Sequence, residues 1–80
     1  MFYVYCIEST QVAGHTTIGF TQNPKQRLLD HNRGCNPSTA PLTPWKLKGY
    51  IAFDSKQGAM DFESYLKTGS GRAFRKRRLW

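Results

Sequence analysis

Residues 2–20 read FYVYCIESTQVAGHTTIGF, and their reading decides the architecture. The run Phe2–Ile7 is aromatic and β-branched, with no polar position to set one face apart. A strand of that composition is buried on both faces and belongs in the middle of a sheet. Alternation puts Tyr3, Tyr5 and Ile7 on one face and Phe2, Val4 and Cys6 on the other. The polar connection 8–14 ends in Gly14, and His15–Phe20 (HTTIGF) follows as an antiparallel partner strand. Gly19 within that strand marks a bulge or the close approach of another group.

Helix signals follow outward from this pair. Asn23 is a good N-cap, Pro24 suits the first helical position, and Gln26 completes a capping box. Gly34 supplies the stop. Residues 35–44 (CNPSTAPLTP) carry three prolines and read as an ordered loop. Trp45–Phe53 (WKLKGYIAF) reads as a third strand. Asp54 and Gln57 then open a second helix that runs to about Lys67. The segment TGSG (68–71) breaks it: its backbone N–H groups could cradle a phosphate, but the commoner reading has Ser70 cap a short basic helix that follows. The order is ββαβαα: a small α+β sandwich around a three-stranded, mainly antiparallel sheet, in one domain over residues 1–80.

Eighty residues give a thin core, so the eleven aromatics must supply much of its apolar area. The formal charge is +7, yet residues 72–80 (RAFRKRRLW) hold five of the twelve bases and no acid. Arg72, Arg75, Lys76, Arg77 and Arg78 therefore form a terminal basic segment suited to a phosphate backbone, or else a solvated tail. Cys6 reads as a small core residue and Cys35 as an exposed one. Their spacing offers neither a zinc site nor a disulfide framework. No signal-peptide pattern opens the chain, no apolar run reaches membrane-spanning length, and a reducing cytoplasmic setting is expected.

Two spacings point to chemistry. On the second helix Ala59, Phe62 and Leu66 make the apolar stripe, and Glu63 falls on it. A carboxylate there pairs with an arginine, keeps its head in water at the helix edge, or binds a metal. On the first helix Arg27 and His31 are neighbours four residues apart. Together they can grip a phosphate and move a proton, or they are a solvated surface pair. Tyr5 reads first as a core tyrosine whose hydroxyl meets a backbone carbonyl, a role open equally to Tyr3, Tyr50 and Tyr65, and otherwise as a further member of such a site.

Taken together these residues resemble the GIY-YIG endonuclease superfamily. Its two naming tripeptides stand here as Tyr3-Val4-Tyr5 and Thr17-Ile18-Gly19. The Arg–His helix stands as Arg27-Leu28-Leu29-Asp30-His31, and Glu63 holds the place of the acidic metal ligand. Pro44-Trp45-Lys46-Leu47, FESYLKTGSGRAF (62–74) and the basic ending are similar to small standalone bacterial members, and the chain as a whole resembles the N-terminal nuclease domain of the excinuclease C subunit. Two positions depart from the pattern: Tyr3 replaces the first Gly, and Thr17 replaces the second Tyr.

The resemblance implies metal-dependent hydrolysis of a phosphodiester in nucleic acid, DNA in preference to RNA. Glu63 would hold one Mg2+ or Mn2+, Arg27 would clamp the phosphate, and Tyr5 would take the proton of the attacking water, aided by His31. A free phenol keeps its proton at neutral pH, so this role requires nearby positive charge. Thr17 cannot replace a tyrosine as a base. The alternative is a nucleic-acid-binding module with impaired catalysis. His15, on the same strand face as Thr17, is one candidate to compensate.

Overall fold

Strand β1 (Phe2–Ser9) takes the middle of a three-stranded sheet, as its two apolar faces require. Strands β2 (Thr16–Thr21) and β3 (Trp45–Phe53) flank it, both antiparallel, in the order β2-β1-β3. With helices α1 (Pro24–Asn32), α2 (Lys56–Leu66) and α3 (Gly69–Arg78), the computed structural model has the expected ββαβαα order and describes every residue from Met1 to Trp80. No helix is long and apolar enough to cross a membrane.

The alternation of β1 divides the core in two. Val4 and Cys6 pack with Ile18 of β2 and with Ala59 and Leu66 of α2. Tyr5 and Ile7 pack with Trp45 on the opposite face, beneath Leu28 of α1 and Leu42 of a single 3-10 turn (Ala40–Leu42). Burying a side chain such as Leu66 contributes about 1.5–3 kcal/mol. Helices α2 and α3 meet backbone to backbone: a Cβ on Gly71 would strike the Tyr65 carbonyl and the Leu66 Cα, so only glycine fits there.

The helix ends show where local signals compete. Asn23 caps α1 as expected, its Oδ1 accepting from the Gln26 N–H at 3.1 Å, and Gly34 ends the helical segment with φ 77°. The reciprocal half of that capping box does not form, because Gln26 donates to Asp30 at 3.0 Å instead. Helix α2 is capped by Ser55 rather than Asp54: the Ser55 Oγ accepts from the Gly58 N–H at 3.1 Å, and Gln57 turns to Asp61. The two residue types cap about equally well, so sequence alone does not choose between neighbours. Helix α3 likewise starts earlier than expected. Thr68, not Ser70, accepts from the Gly71 N–H at 3.1 Å, and the glycines become its first turn.

Candidate active site

Tyr5 is almost fully buried, yet its hydroxyl is not spent on a backbone carbonyl. It lies 2.9 Å from His31 Nε2, across 26 residues of sequence. Arg27 Nε donates to the same oxygen at 3.4 Å. The i,i+4 spacing on α1 therefore sends Arg27 and His31 to one atom of β1, and the pair is no chance surface neighbourhood. What lets the phenol sit there is Gly19, its cross-strand partner on β2, where a Cβ would collide with the Tyr5 ring and hydroxyl. Of the two readings of Gly19, close approach is the one observed; the sheet's irregularity falls elsewhere, between Cys6 and Ile7 in the pairing with β3.

His31 is held from behind. Its Nδ1 lies 2.8 Å from Thr39 Oγ1, and that hydroxyl is itself 3.3 Å from the Asn36 carbonyl. A carbonyl only accepts, so the Thr39 proton points to Asn36 and its oxygen accepts from His31 Nδ1–H. This assigns Nε2 as the acceptor of the Tyr5 proton, a tautomer inferred from the network. Burial, reinforced by Arg27 and partly opposed by Asp30, holds the imidazole below its ordinary range, which favours the neutral ring this arrangement needs.

Glu63 completes the constellation from α2. It neither pairs with an arginine nor lies bare in the core: its carboxylate meets Lys67 Nζ at 2.9 Å, one turn along the helix, with the side chain about a fifth exposed. Tyr5, Thr17, Arg27, His31, Glu63 and Lys67 all line one pocket of about 350 Å³ at the open edge of β2. Three further lining residues, Asn36, Ser38 and Thr39, come from the proline-containing loop that sequence reading left without a role. An Asn-Pro-Ser run is a turn signature, realised here as Asn36 Oδ1 accepting from the Ser38 N–H at 3.0 Å, but it carries no mark of what it faces. His15 does not compensate for Thr17; its ring lies 6.0 Å from that of Trp45, away from the pocket.

The donor chemistry suits a hard divalent cation bound by one carboxylate, with water and phosphate oxygens completing its shell. It does not build an all-protein cage: no group of three or more His, Cys, Asp or Glu is placed to hold a metal ion. The five bases of the terminal segment divide in the structure. Arg72, Arg75 and Lys76 line a separate groove, whereas Arg77 and Arg78 are exposed outside it.

Residues 1–78 match the GIY-YIG catalytic domain. The chain belongs to that family. A GIY-YIG domain carries a nuclease-family fold, and relatives of this one come from distant sources. The structure-specific endonuclease subunit SLX1 homolog of Drosophila ananassae is 35% identical over 68 residues, covering 76% of this chain and 23% of that protein. The homolog from Giardia intestinalis is 35% identical over 69 residues, covering 79% and 19%. This GIY-YIG domain thus spans about a fifth of those two relatives. The UPF0213 protein of Streptococcus pyogenes serotype M3 is 35% identical over 68 residues, covering 84% of the chain and 68% of its own length. The kinship is to these proteins and not specifically to the excinuclease C subunit.

Proposed function

We propose that this GIY-YIG domain hydrolyses phosphodiester bonds in nucleic acid, DNA in preference to RNA, with one Mg2+ or Mn2+ held by Glu63. The observation that carries this reading is the Tyr5 hydroxyl, shared by His31 Nε2 and Arg27 Nε inside the pocket that also contains Glu63. As Tyr5 Oη takes a proton from the attacking water, its own proton passes to His31 Nε2, so no free phenolate has to accumulate. Arg27 engages Tyr5 through Nε alone and has no carboxylate within ion-pair distance, which leaves its terminal N–H groups for the phosphate. When bound, the cation supplies charge neutralisation at the phosphate and at the leaving oxygen. The basic helix α3 holds flanking backbone without reading sequence. Structure-selective cleavage is carried over from the SLX1 homologs' name, and branched duplexes belong in the substrate panel beside linear ones.

A second reading rests on Thr17, which leaves the pocket with one tyrosine. On that reading the domain binds nucleic acid and does not cut it. Plasmid nicking with Mg2+ or Mn2+ separates the two. Hydrolysis predicts metal-dependent nicking by the wild type that Glu63→Ala abolishes. Salt-sensitive binding with no nicking would leave only the binding module.

A further inference from the structure

A second concavity lies against α3, across the edge strand from the pocket containing Tyr5. It encloses about 380 Å³ and is lined by Thr16, Lys48, Arg72, Arg75, Lys76 and Trp80, with Cys6 in its floor and no acidic residue in its wall. Arg72, Arg75 and Lys76 stand three and four residues apart on one face of α3, where like charges repel one another. None of the three has a carboxylate within ion-pair distance. Burial, with a smaller push from Glu8, raises the Cys6 thiol to about 11 against the pull of Arg75 and Lys48, so the thiol itself adds no negative charge to the floor.

The fourth cation arrives by a backbone device. Pairing of β1 with β3 runs Tyr5 to Tyr50 and Cys6 to Gly49, then jumps to Ile7 opposite Leu47, leaving Lys48 as the extra residue of a bulge. Regular alternation would put Lys48 on the Tyr5 face. The bulge turns it to the α3 face, where Nζ lies 3.9 Å from Glu8 and donates to the Trp80 backbone oxygen at 3.0 Å. Trp80 is fixed in turn: its indole occupies the space over Gly49 that any Cβ would fill. On β2, Thr16 lines this groove and its neighbour Thr17 lines the other pocket, so one uncovered edge strand separates the two.

We propose that this groove is a second backbone site for nucleic acid, in which Lys48, Arg72, Arg75 and Lys76 take phosphates flanking the ester held at Arg27. It rests on the nuclease reading for its substrate. It also departs from a diffuse basic tail, because it recruits Lys48 from β3 and leaves out Arg77 and Arg78.

The test compares two lysines on one strand. Lys46 and Lys48 both approach Glu8, at 3.8 and 3.9 Å, but Lys46 is the more exposed, at 63% against 34%, and lies outside the groove. Binding of a labelled short DNA duplex is measured by fluorescence anisotropy across a NaCl series, with EDTA present to prevent cleavage. Lys48→Gln should flatten the slope of log K against log salt by about 0.9, the share of one phosphate contact, and weaken binding several-fold at low salt. Lys46→Gln should change the slope by less than half as much. Equal effects would mean bulk charge alone and overturn the proposal, as would the absence of salt-dependent binding. Nicking by the same preparations keeps the readings apart. A Lys48-specific effect without cleavage keeps the groove and sinks the nuclease, whereas cleavage with equal lysine effects does the reverse.

Discussion

The two halves of the Tyr5 pocket are built differently. One half joins β1, α1 and the loop before β3: Tyr5, His31 and Thr39 are each no more than 3% exposed, and their polar side-chain atoms are chained together. The other half is Glu63 of α2 with Lys67, the C-cap of the same helix, in a partly solvated ion pair. On the proposed mechanism, the groups that hand over a proton in a fixed direction are the ones locked by the fold, and the carboxylate proposed to accept a cation has a partner that can leave. The difference separates what is preorganised from what is exchangeable.

The largest expected effect tests the locked half. Tyr5→Phe should lower the cleavage rate by about 10²–10⁴-fold, the usual weight of a positioned proton acceptor. It also strips a buried His31 Nε2 of its partner, at about 1–3 kcal/mol. For a domain of this size each kcal/mol moves Tm by about 4–8 °C. Glu63→Gln should abolish metal-dependent cleavage too, yet cost at most a few tenths of a kcal/mol, because an i,i+4 surface pair is worth about 0.3–0.5. Thermal melts of both variants check this. Equal Tm values would erase the distinction between the halves.

How much of this was legible in the sequence depends on the range of the contact. Asn23-Pro24 and Gly34 mark the limits of α1 because caps are local chemistry. The aromatic β-branched run of β1 announced a central strand because both of its faces had to be covered. The pairing of Arg27 with His31 followed from helical spacing. Their meeting with Tyr5, 22 and 26 residues away, did not follow from any local pattern; only the family resemblance suggested it. Thr39 went unseen because a loop has no periodicity to say which way a side chain faces. The bulge at Lys48 was equally invisible, since WKLKGYIAF reads as a regular strand and a register jump is a property of the pair.

A smaller effect sharpens the exchangeable half. Lys67 neutralises Glu63 and so competes with any cation for it. Lys67→Ala should tighten Mn2+ binding by about 1.6- to 2.3-fold, from about 0.3–0.5 kcal/mol for an i,i+4 surface pair and about 1.4 kcal/mol per decade of affinity. Water-proton relaxation during a Mn2+ titration reads this without relying on turnover. Unchanged affinity would show that the ion pair is not what the cation displaces.

The smallest effect belongs to the locked half and appears in pH. His31 is pushed below its ordinary 6.5 in the folded state, chiefly by burial and then by Arg27, so the unfolded chain takes up its proton first. The stability tied to the neutral ring is complete above about 6.5 and is lost as pH falls through the lower folded value. Glu8, held below 4.5 by the Gly14 N–H, loses its contribution only at more acid pH and leaves the upper part of this window clear. Wild-type Tm should therefore slope downward from pH 6.5 toward 5 more steeply than that of His31→Gln. NMR of the His31 ring carbons over the same range follows the titration in the native protein and does not depend on the variant folding. A midpoint at or above 6.5 would mean that the imidazole is not held neutral, and the route from Tyr5 to Nε2 would lose its acceptor.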